Sequence, residues 1–291
     1  MINIESCFYA AMRDAGIDVE ATIVADGKLH RAHVEGDKNG SVNAWYVLHD
    51  GAHPAGAFGC NKRGISDRWR ADKNTTSSRS NPIDIALIEA RRKVRATEAE
   101  RAYSDAAKRA GQILSSATVD AHDHAYIRSK SIKPFGVNQT QDGVLIVPVF
   151  DARTGKLQSL QFIHADGQKR FLANGRTVFG CFPLRHDRES FKRALPLRIG
   201  LAEGVATAAS IARVLSGSTA LFATFSASNL INVATALREQ YPTAQITIYG
   251  DNDASGVGQD AATKAATAVN GFVAIPAEIG TDWNDAARAS A

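Results

Sequence analysis

Five carboxylates in the last third of the chain are spaced as groups that could share a cation. Glu203 follows an apolar run in RIGLAEG, Asp251 and Asp253 follow another in ITIYGDNDASG, and Asp282 and Asp285 lie in TDWND after a third. Gathered carboxylates repel one another and raise each other's proton affinity unless a cation neutralises them. Hard oxygen ligands that share their ion with phosphates select Mg²⁺ or Mn²⁺. Such ions can activate a hydroxyl nucleophile and steady a leaving pyrophosphate. Two other readings compete. D-x-D-x-S-G mimics the start of a calcium loop, but the twelfth place, where a bidentate carboxylate is required, is Ala262, and the preceding ITIY is β-branched and strand-like. Asp-Asn-Asp also ends strands as a plain surface turn, because its side chains bond to nearby backbone. Acids repeated after three successive strands weigh against decoration.

The elements that must position these acids are legible in the hydrophobic pattern. From Leu197 onward strand-like and helix-like runs alternate: LRIGLAEG, VATAASIARVL, TALFATF, NLINVATALREQYP, QITIYGD, GQDAATKAATAVN, GFVAIP, then a short closing helix in GTDWNDAARAS. This alternation predicts an open, mostly parallel sheet with helices on its faces, whose site lies at the carboxyl ends of the strands. Glu203 and the Asp251/Asp253 pair fall at such ends. Ser226, Ser228 and Asn229 follow the second strand, where capping of the next helix is the expected role and lining the cleft the alternative. Upstream, GVLIVPVFDARTGKLQSLQFIHADGQKRFLANG reads as a β meander with turns at D-A-R-T-G and A-D-G-Q. Residues 82–115 read as a helix with Asn81 as N-cap and Pro82 at its first position, bridging two parts of the protein or lying on a surface. Residues 1–75 read as a short helix followed by short alternating strands, and residues 61–81 as a basic loop or linker. In that linker Arg63, Arg68, Arg70 and Lys73 surround Trp69, which could stack on a nucleic-acid strand or simply anchor the loop. Three regions follow: a small mostly-β module with a basic linker (1–80), a long helix with a basic α+β subdomain (81–195), and an α/β domain (196–291). The fold class is α/β, α+β overall.

Composition sets the outer bounds. The 291 residues are 44% hydrophobic and 22% charged, ordinary for a soluble globular protein. No apolar run approaches the roughly 20 residues that span a bilayer, and MINIESCFYAAMRDAG lacks the basic leader of a secretion signal. Cys7, Cys60 and Cys181 are odd in number and far apart, which disfavours a disulfide framework and a zinc module and fits a reducing cytoplasm. Charge is uneven: 29 basic against 22 acidic residues in 1–193 (+7), and 5 against 8 in 194–291 (−3). A basic surface beside an acidic pocket suits a metal site that works on nucleic acid. His122 and His124 form an H-x-H pair with no further ligand near in sequence, and Trp283, between Asp282 and Asp285, reads as a packing anchor.

AEG at 202–204, GDNDASG at 250–256 and TDWND at 281–285 resemble the Toprim domain shared by bacterial-type primases, type IA and type II topoisomerases and some nucleases. The resemblance covers residues 197–291 and implies a catalytic, metal-binding role for Glu203, Asp251 and Asp253. Replicative primases usually carry another acid four residues after the glutamate, where this chain has Thr207. Asp282 and Asp285 would then complete the metal ligands. The meander, with Lys169, Phe171, Leu172 and Asn174, is similar to the basic subdomain that precedes Toprim in bacterial replicative primases, and HAYIRSKSI to a segment upstream of it. Of these families the chain looks most like Toprim primases of plasmids, phages and integrative elements, without their N-terminal zinc module or helicase domain. This implies synthesis of short RNA primers on single-stranded DNA from NTPs with Mg²⁺ or Mn²⁺, no zinc, no membrane, and a replicative helicase as a partner. Lys169, Arg170, Asn174, Arg128 and Lys130 would hold nucleotide or template. A Toprim nuclease, and a DNA-binding accessory factor whose fold has lost catalysis, remain as alternatives. A topoisomerase would need a further large domain with a nucleophilic tyrosine.

Overall fold

Alternating apolar positions and glycine turns in the first 71 residues build an antiparallel meander, as the mostly-β reading expects. The computed structural model describes residues 3–51, 53–71, 82–118, 121–184, 197–215 and 219–289. They divide into two units, Met1–Leu87 and Ile88–Ala291. In the first, helix α1 (Ile4–Asp14) precedes strands β1 (His30–Ala32), β2 (Ala44–His49), β3 (Ala55–Cys60) and β4 (Ile65–Arg70), which pair in that order. Asn3 caps α1 by accepting from Ser6 N–H at 3.0 Å. Phe8 and Met12 on α1 are fully buried with Tyr46, Leu48 and Phe58.

The basic stretch read as a loop is corrected here: six of its residues are β4. Polar composition hides a two-residue alternation in which Ile65 and Trp69 pack into the core while Ser66, Arg68 and Arg70 are exposed. Trp69 is only 7% exposed and meets Phe8 edge-on at 5.5 Å, so the anchoring role holds and the stacking role does not. Arg63 donates to the Gly16 carbonyl and lies 3.8 Å from Asp37, so it ties the unit together. Lys73 and Asn81 fall outside the described residues.

The second unit is organised around one mixed sheet. Its elements are α2 (Pro82–Ser115, which begins in the first unit), α3 (Ala125–Lys130), β5 (Asn138–Gln139), β6 (Leu145–Asp151), β7 (Leu157–Ile163), β8 (Lys169–Phe171), β9 (Gly180–Leu184), β10 (Arg198–Ala202), α4 (Val205–Val214), β11 (Ala220–Ala223), α5 (Ala227–Gln240), β12 (Gln245–Tyr249), α6 (Val257–Ala268), β13 (Phe272–Ala274) and α7 (Trp283–Ala289). The strand order is β13-β12-β10-β11-β9-β6-β7-β8, with β5 beside β6. The first four strands run parallel, and β9 joins them to the antiparallel meander by pairing with both β11 and β6. The sheet therefore runs unbroken from the meander into the parallel strands. β9, GCFPL, carries no alternation because all five of its residues are buried.

Two cores flank this sheet. One packs α4 with Tyr126, Ile127, Leu145 and Val147; the other packs α5 and α6 against Ile199, Leu201, Ile246 and Ile248. A third, smaller cluster seats Ala110 of α2 on Ile146 and Leu160, with Ile113 and Leu114 beside it. The chain leaving β10 thus crosses to one face in α4, and the chain leaving β12 crosses to the other in α6. Neighbouring strand ends whose chains leave to opposite faces make the crevice in which an open α/β sheet binds its ligands. Among the described residues no helix is long and apolar enough to cross a membrane.

Candidate active site

Ala202 pairs with Tyr249 in parallel register, so Glu203 and Asp251 emerge from neighbouring strand ends into this crevice. Asn252, between the two aspartates, brings the third acidic stretch to them. Its N–H donates to Thr281 O at 3.0 Å, its carbonyl accepts from Gly280 N–H at 2.6 Å, and its Nδ2 donates to Pro276 O at 2.9 Å. The Asp-Asn-Asp loop and the Thr281–Asp285 loop are stapled together through that one residue. Gln259 of α6 holds the same loop, donating to Asn252 Oδ1 at 2.7 Å and to Asp253 O at 2.9 Å.

Asp251 is the acid in distress. Its Oδ1 is buried and meets no hydrogen-bond partner among the described residues. Burial, reinforced by Asp282, Glu203, Asp253 and Asp285, pushes its pKa up from 3.8 to about 6. Glu203 is raised as well, by burial first; Lys169 pulls it down, Asp253 pushes it up, and the Ala227 N–H at the start of α5 pulls it down. The structure therefore brings together all five predicted acids and Lys169.

The other acids are partly engaged. Asp253 accepts from Gly258 N–H at 2.8 Å, from Ser255 N–H at 3.1 Å and from Ser255 Oγ, and these bonds hold its pKa below the usual carboxylate range. A Cβ on Gly258 would stand 2.7 Å from Asp253 Oδ2, so glycine there is what lets the carboxylate reach the first turn of α6. Asp282 and Asp285 form a reciprocal capping box on α7. Asp282 Oδ1 accepts from Asp285 N–H at 2.8 Å and from Asn284 N–H at 2.7 Å, while Asp285 Oδ2 accepts from Asp282 N–H at 3.3 Å. Asp282→Asn should keep this cap and leave Tm within about a degree, whereas Asp282→Ala should cost about 1 kcal/mol. Thermal melts of the two variants side by side separate the cap from the charge.

An ion fits this arrangement on two grounds: the orphaned Asp251 oxygen, and a donor set made wholly of hard carboxylate oxygens. Among the described residues no three His, Cys, Asp or Glu side chains form a ready-made metal cage. Thr207, where a further acid was expected, is only 3% exposed, so a carboxylate there would be buried in helix packing.

The basic residues separate by geometry. Lys169 and Phe171 alternate onto one side of β8. Lys169 Nζ lies 5.7 Å from the Tyr126 ring centre, and Phe171 meets Phe225 edge-on at 5.8 Å. Arg170 points to the opposite side, in register with Phe162, which packs with Ala110 of α2. Arg128 donates to the Asp123 carbonyl, at the start of its own helix. Lys130 lies near Tyr126, which also feels Asp282, and its carbonyl accepts from Asn284 Nδ2 at 2.8 Å. Asn174 adopts a left-handed backbone (φ 60°) in the turn after β8, a conformation asparagine tolerates. That turn is held by Arg109 Nη2 donating to Ala173 O at 2.9 Å. Lys169 thus lies close enough to Glu203 to lower its proton affinity, Lys130 lies near Tyr126, and Arg128, Arg170 and Asn174 are placed by other contacts.

Several side chains of the site were not singled out from the sequence. Tyr126 lies under Lys169 with its hydroxyl buried and unpartnered among the described residues. Asn284 is 1% exposed and ties α7 to Ser210 of α4 at 2.8 Å. Ser226 occupies the N-cap of α5 without a side-chain cap bond, contrary to the expected capping. Ser226 and Ser228 instead line a pocket of about 100 Å³ with Phe171, Val178, Phe225 and Asn232. Asn229 closes the pocket floor, donating to Gly180 O at 2.8 Å and Thr224 O at 2.9 Å and accepting from Phe179 N–H at 3.0 Å. Phe225 is held at φ 69°, a strained conformation for an aromatic residue, and its N–H donates to the Glu203 carbonyl at 2.8 Å. His124 caps α3, accepting from Tyr126 N–H through Nδ1 while Nε2 lies 2.8 Å from Gly143 O. Trp283 packs edge-on against Tyr249 at 5.8 Å, the anchor expected of it.

Residues 198–291 match the Toprim domain family. Two Escherichia coli proteins described as DNA primase TraC are 35% identical over 262 residues (87% of this chain) and 32% identical over 283 residues (92% of it). The chain spans only 24% and 19% of their respective lengths. Among solved structures, the primase fragment of the bacteriophage T7 primase-helicase is similar at a TM-score of 0.44 and 16% identity, over 56% of this chain and 69% of that one.

Proposed function

We propose that this chain, whose residues 198–291 are a Toprim domain, synthesises short RNA primers on single-stranded DNA from NTPs, in the replication of a plasmid or similar mobile element. The observation that carries the reading is the convergence of Glu203, Asp251, Asp253, Asp282, Asp285 and Lys169 at the carboxyl ends of β10 and β12, in a chain similar over most of its length to two DNA primases.

Asp251 and Glu203, with Asp253, would hold Mg²⁺ or Mn²⁺ partly through water. When bound, a divalent ion supplies charge neutralisation at the transferring phosphate and a lower pKa for the attacking hydroxyl. Burial raises the proton affinity of Glu203, and on this reading it would take the proton of the 3′-hydroxyl. Lys169, an exposed ammonium set against Tyr126, would steady the triphosphate or the template backbone as a point charge. The pocket beside Phe171 and Phe225 would seat a base of the substrate against an exposed ring. Asp282 and Asp285 act here chiefly as positioning residues: they cap α7 and, as like charges, raise the proton affinity of Asp251. Reducing cytoplasm is the compartment this reading implies, and a replicative helicase the partner.

A primer-synthesis assay on single-stranded DNA with labelled NTPs tests the proposal. Template-, NTP- and Mg²⁺-dependent oligomers are expected from the wild type and none from the Asp251→Ala, Asp253→Ala double variant. Oligomers that persist unchanged in the double variant would sink the assignment. Loss of input DNA without NTPs would replace it with a nuclease.

A further inference from the structure

The β1–β4 sheet of the first unit has two unlike faces. One carries Tyr46, Leu48, Phe58 and Trp69 and is covered by α1 through Phe8 and Met12. Strand register sets the composition of the other. Arg31 stands opposite Trp45, Trp45 opposite Gly59, and Gly59 opposite Ser66; a second row runs Val47, Ala57, Arg68, and a third His49, Ala55, Arg70. No carboxylate occupies this face at any of these strand positions. Arg31, Arg68 and Arg70 are exposed, and among the described residues none of them enters an ion pair.

Trp45 lies over Gly59 in the first row of this face. A Cβ on Gly59 would fall 2.8 Å from its Cε2 and Cζ2, so glycine on β3 is what lets the indole rest on the sheet. Ala55 and Ala57 keep the neighbouring positions low. Arg68 and Arg70, two residues apart on one strand, set their charges roughly 7 Å apart along the sheet. A partly buried ring on a face that carries guanidinium groups and small residues is the chemistry that holds unpaired bases by stacking and their phosphates by charge.

We propose that the Arg31–Trp45–Arg68–Arg70 face of the N-terminal sheet binds single-stranded DNA by stacking a base on Trp45 and pairing phosphates with the three arginines. The choice of DNA rests on the primase reading above; the stacking chemistry does not. A duplex offers no unstacked base to Trp45, and a lipid surface calls for protruding apolar side chains where this face has a flat ring and small residues.

Binding of a labelled oligothymidylate to the full chain, followed by anisotropy across a salt series, tests this. EDTA is present and NTPs are omitted, so a failed primer assay leaves the measurement readable. Arg31→Ala, Arg68→Ala, Arg70→Ala should weaken binding about 10- to 100-fold near 0.1 M salt and reduce the slope of log K against log salt by about 2. Trp45→Leu should weaken binding roughly 5- to 50-fold with the slope unchanged. Trp45→Phe, which keeps a ring on Gly59, should bind nearly as wild type yet lose most of the DNA-induced quenching of tryptophan fluorescence. Unchanged affinity and slope in the triple arginine variant would overturn the proposal. So would full quenching in Trp45→Phe, or tighter binding by the same face to duplex DNA, to single-stranded RNA or to anionic vesicles.

Discussion

Asp251→Asn should abolish primer synthesis while making the metal-free protein more stable at pH 7. The native site holds this carboxyl at a pKa of about 6 against an ordinary 3.8, because burial and four neighbouring acids all favour the neutral form. A folded state that binds the proton more tightly than the unfolded one loses stability as pH rises between those two values. Above about 6 the full penalty is present, and below 3.8 it is absent. Asparagine is neutral throughout and removes the repulsion. The gain is roughly 1–2 kcal/mol after allowance for the partial exposure of the site, and a chain of this size then melts roughly 2–6 °C higher. Added Mg²⁺ should raise the melting temperature of the wild type by binding the native state alone, and should fail to do so in the variant. Catalysis should fall on the order of 10³-fold or more, as expected when charge stabilisation at the reacting phosphate is lost. Melts from pH 4 to 8 in EDTA, repeated with Mg²⁺, provide the check. An unchanged pH profile together with an intact Mg²⁺ shift in Asp251→Asn would remove Asp251 from the site.

How far such a site can be read from sequence depends on whether the signal is local. Glu203 and Asp251 were legible because each directly follows an apolar strand, and an alternating α/β pattern sends strand ends to one edge. Their second roles were not legible. Asp253 looks like a ligand in D-x-D, yet its oxygens also fasten the first turn of α6, because Gly258 leaves room. Asp282 and Asp285 have the spacing of a capping box as much as that of a ligand pair, and spacing alone does not choose. Tyr126 and Asn284 owe their importance to contacts across 43 and 154 residues, with Lys169 and Lys130 respectively. β9 was missed because a strand buried on both sides has no polar positions to alternate. In the N-terminal sheet the ambiguity had another origin. Arginines around Trp69 allowed either a stacking site or an anchoring ring, and a residue's face follows its parity along the strand. Parity puts Trp69 in the core and the neighbouring arginines on the side of Trp45.

Lys169→Met should lower kcat/KM for primer synthesis by about 10- to 100-fold and move the acid limb of its pH profile upward. Two consequences of one geometry are involved. The ammonium is exposed and set over the Tyr126 ring, positioned to meet a phosphate arriving at the acids. Losing that contact removes binding shared by ground state and transition state, and so appears mainly in KM. Lys169 also holds the proton affinity of Glu203 down against the burial that raises it. Without the cation Glu203 stays protonated to higher pH, and a base that must be ionised then switches on later. Methionine keeps the apolar stem over Tyr126, so a purely structural role for Lys169 would leave both readouts in place. Lys169→Arg keeps the charge and should restore the acid limb while recovering KM only in part, since a planar fork does not replace a point charge. Tyr126→Phe gives the internal control. Its hydroxyl is buried with no partner among the described residues, so removing it should leave activity within about twofold and stability unchanged or slightly higher. If Lys169→Met shifted neither KM nor the acid limb, the lysine would belong to the surface and the phosphate contact would have to come from elsewhere in the crevice.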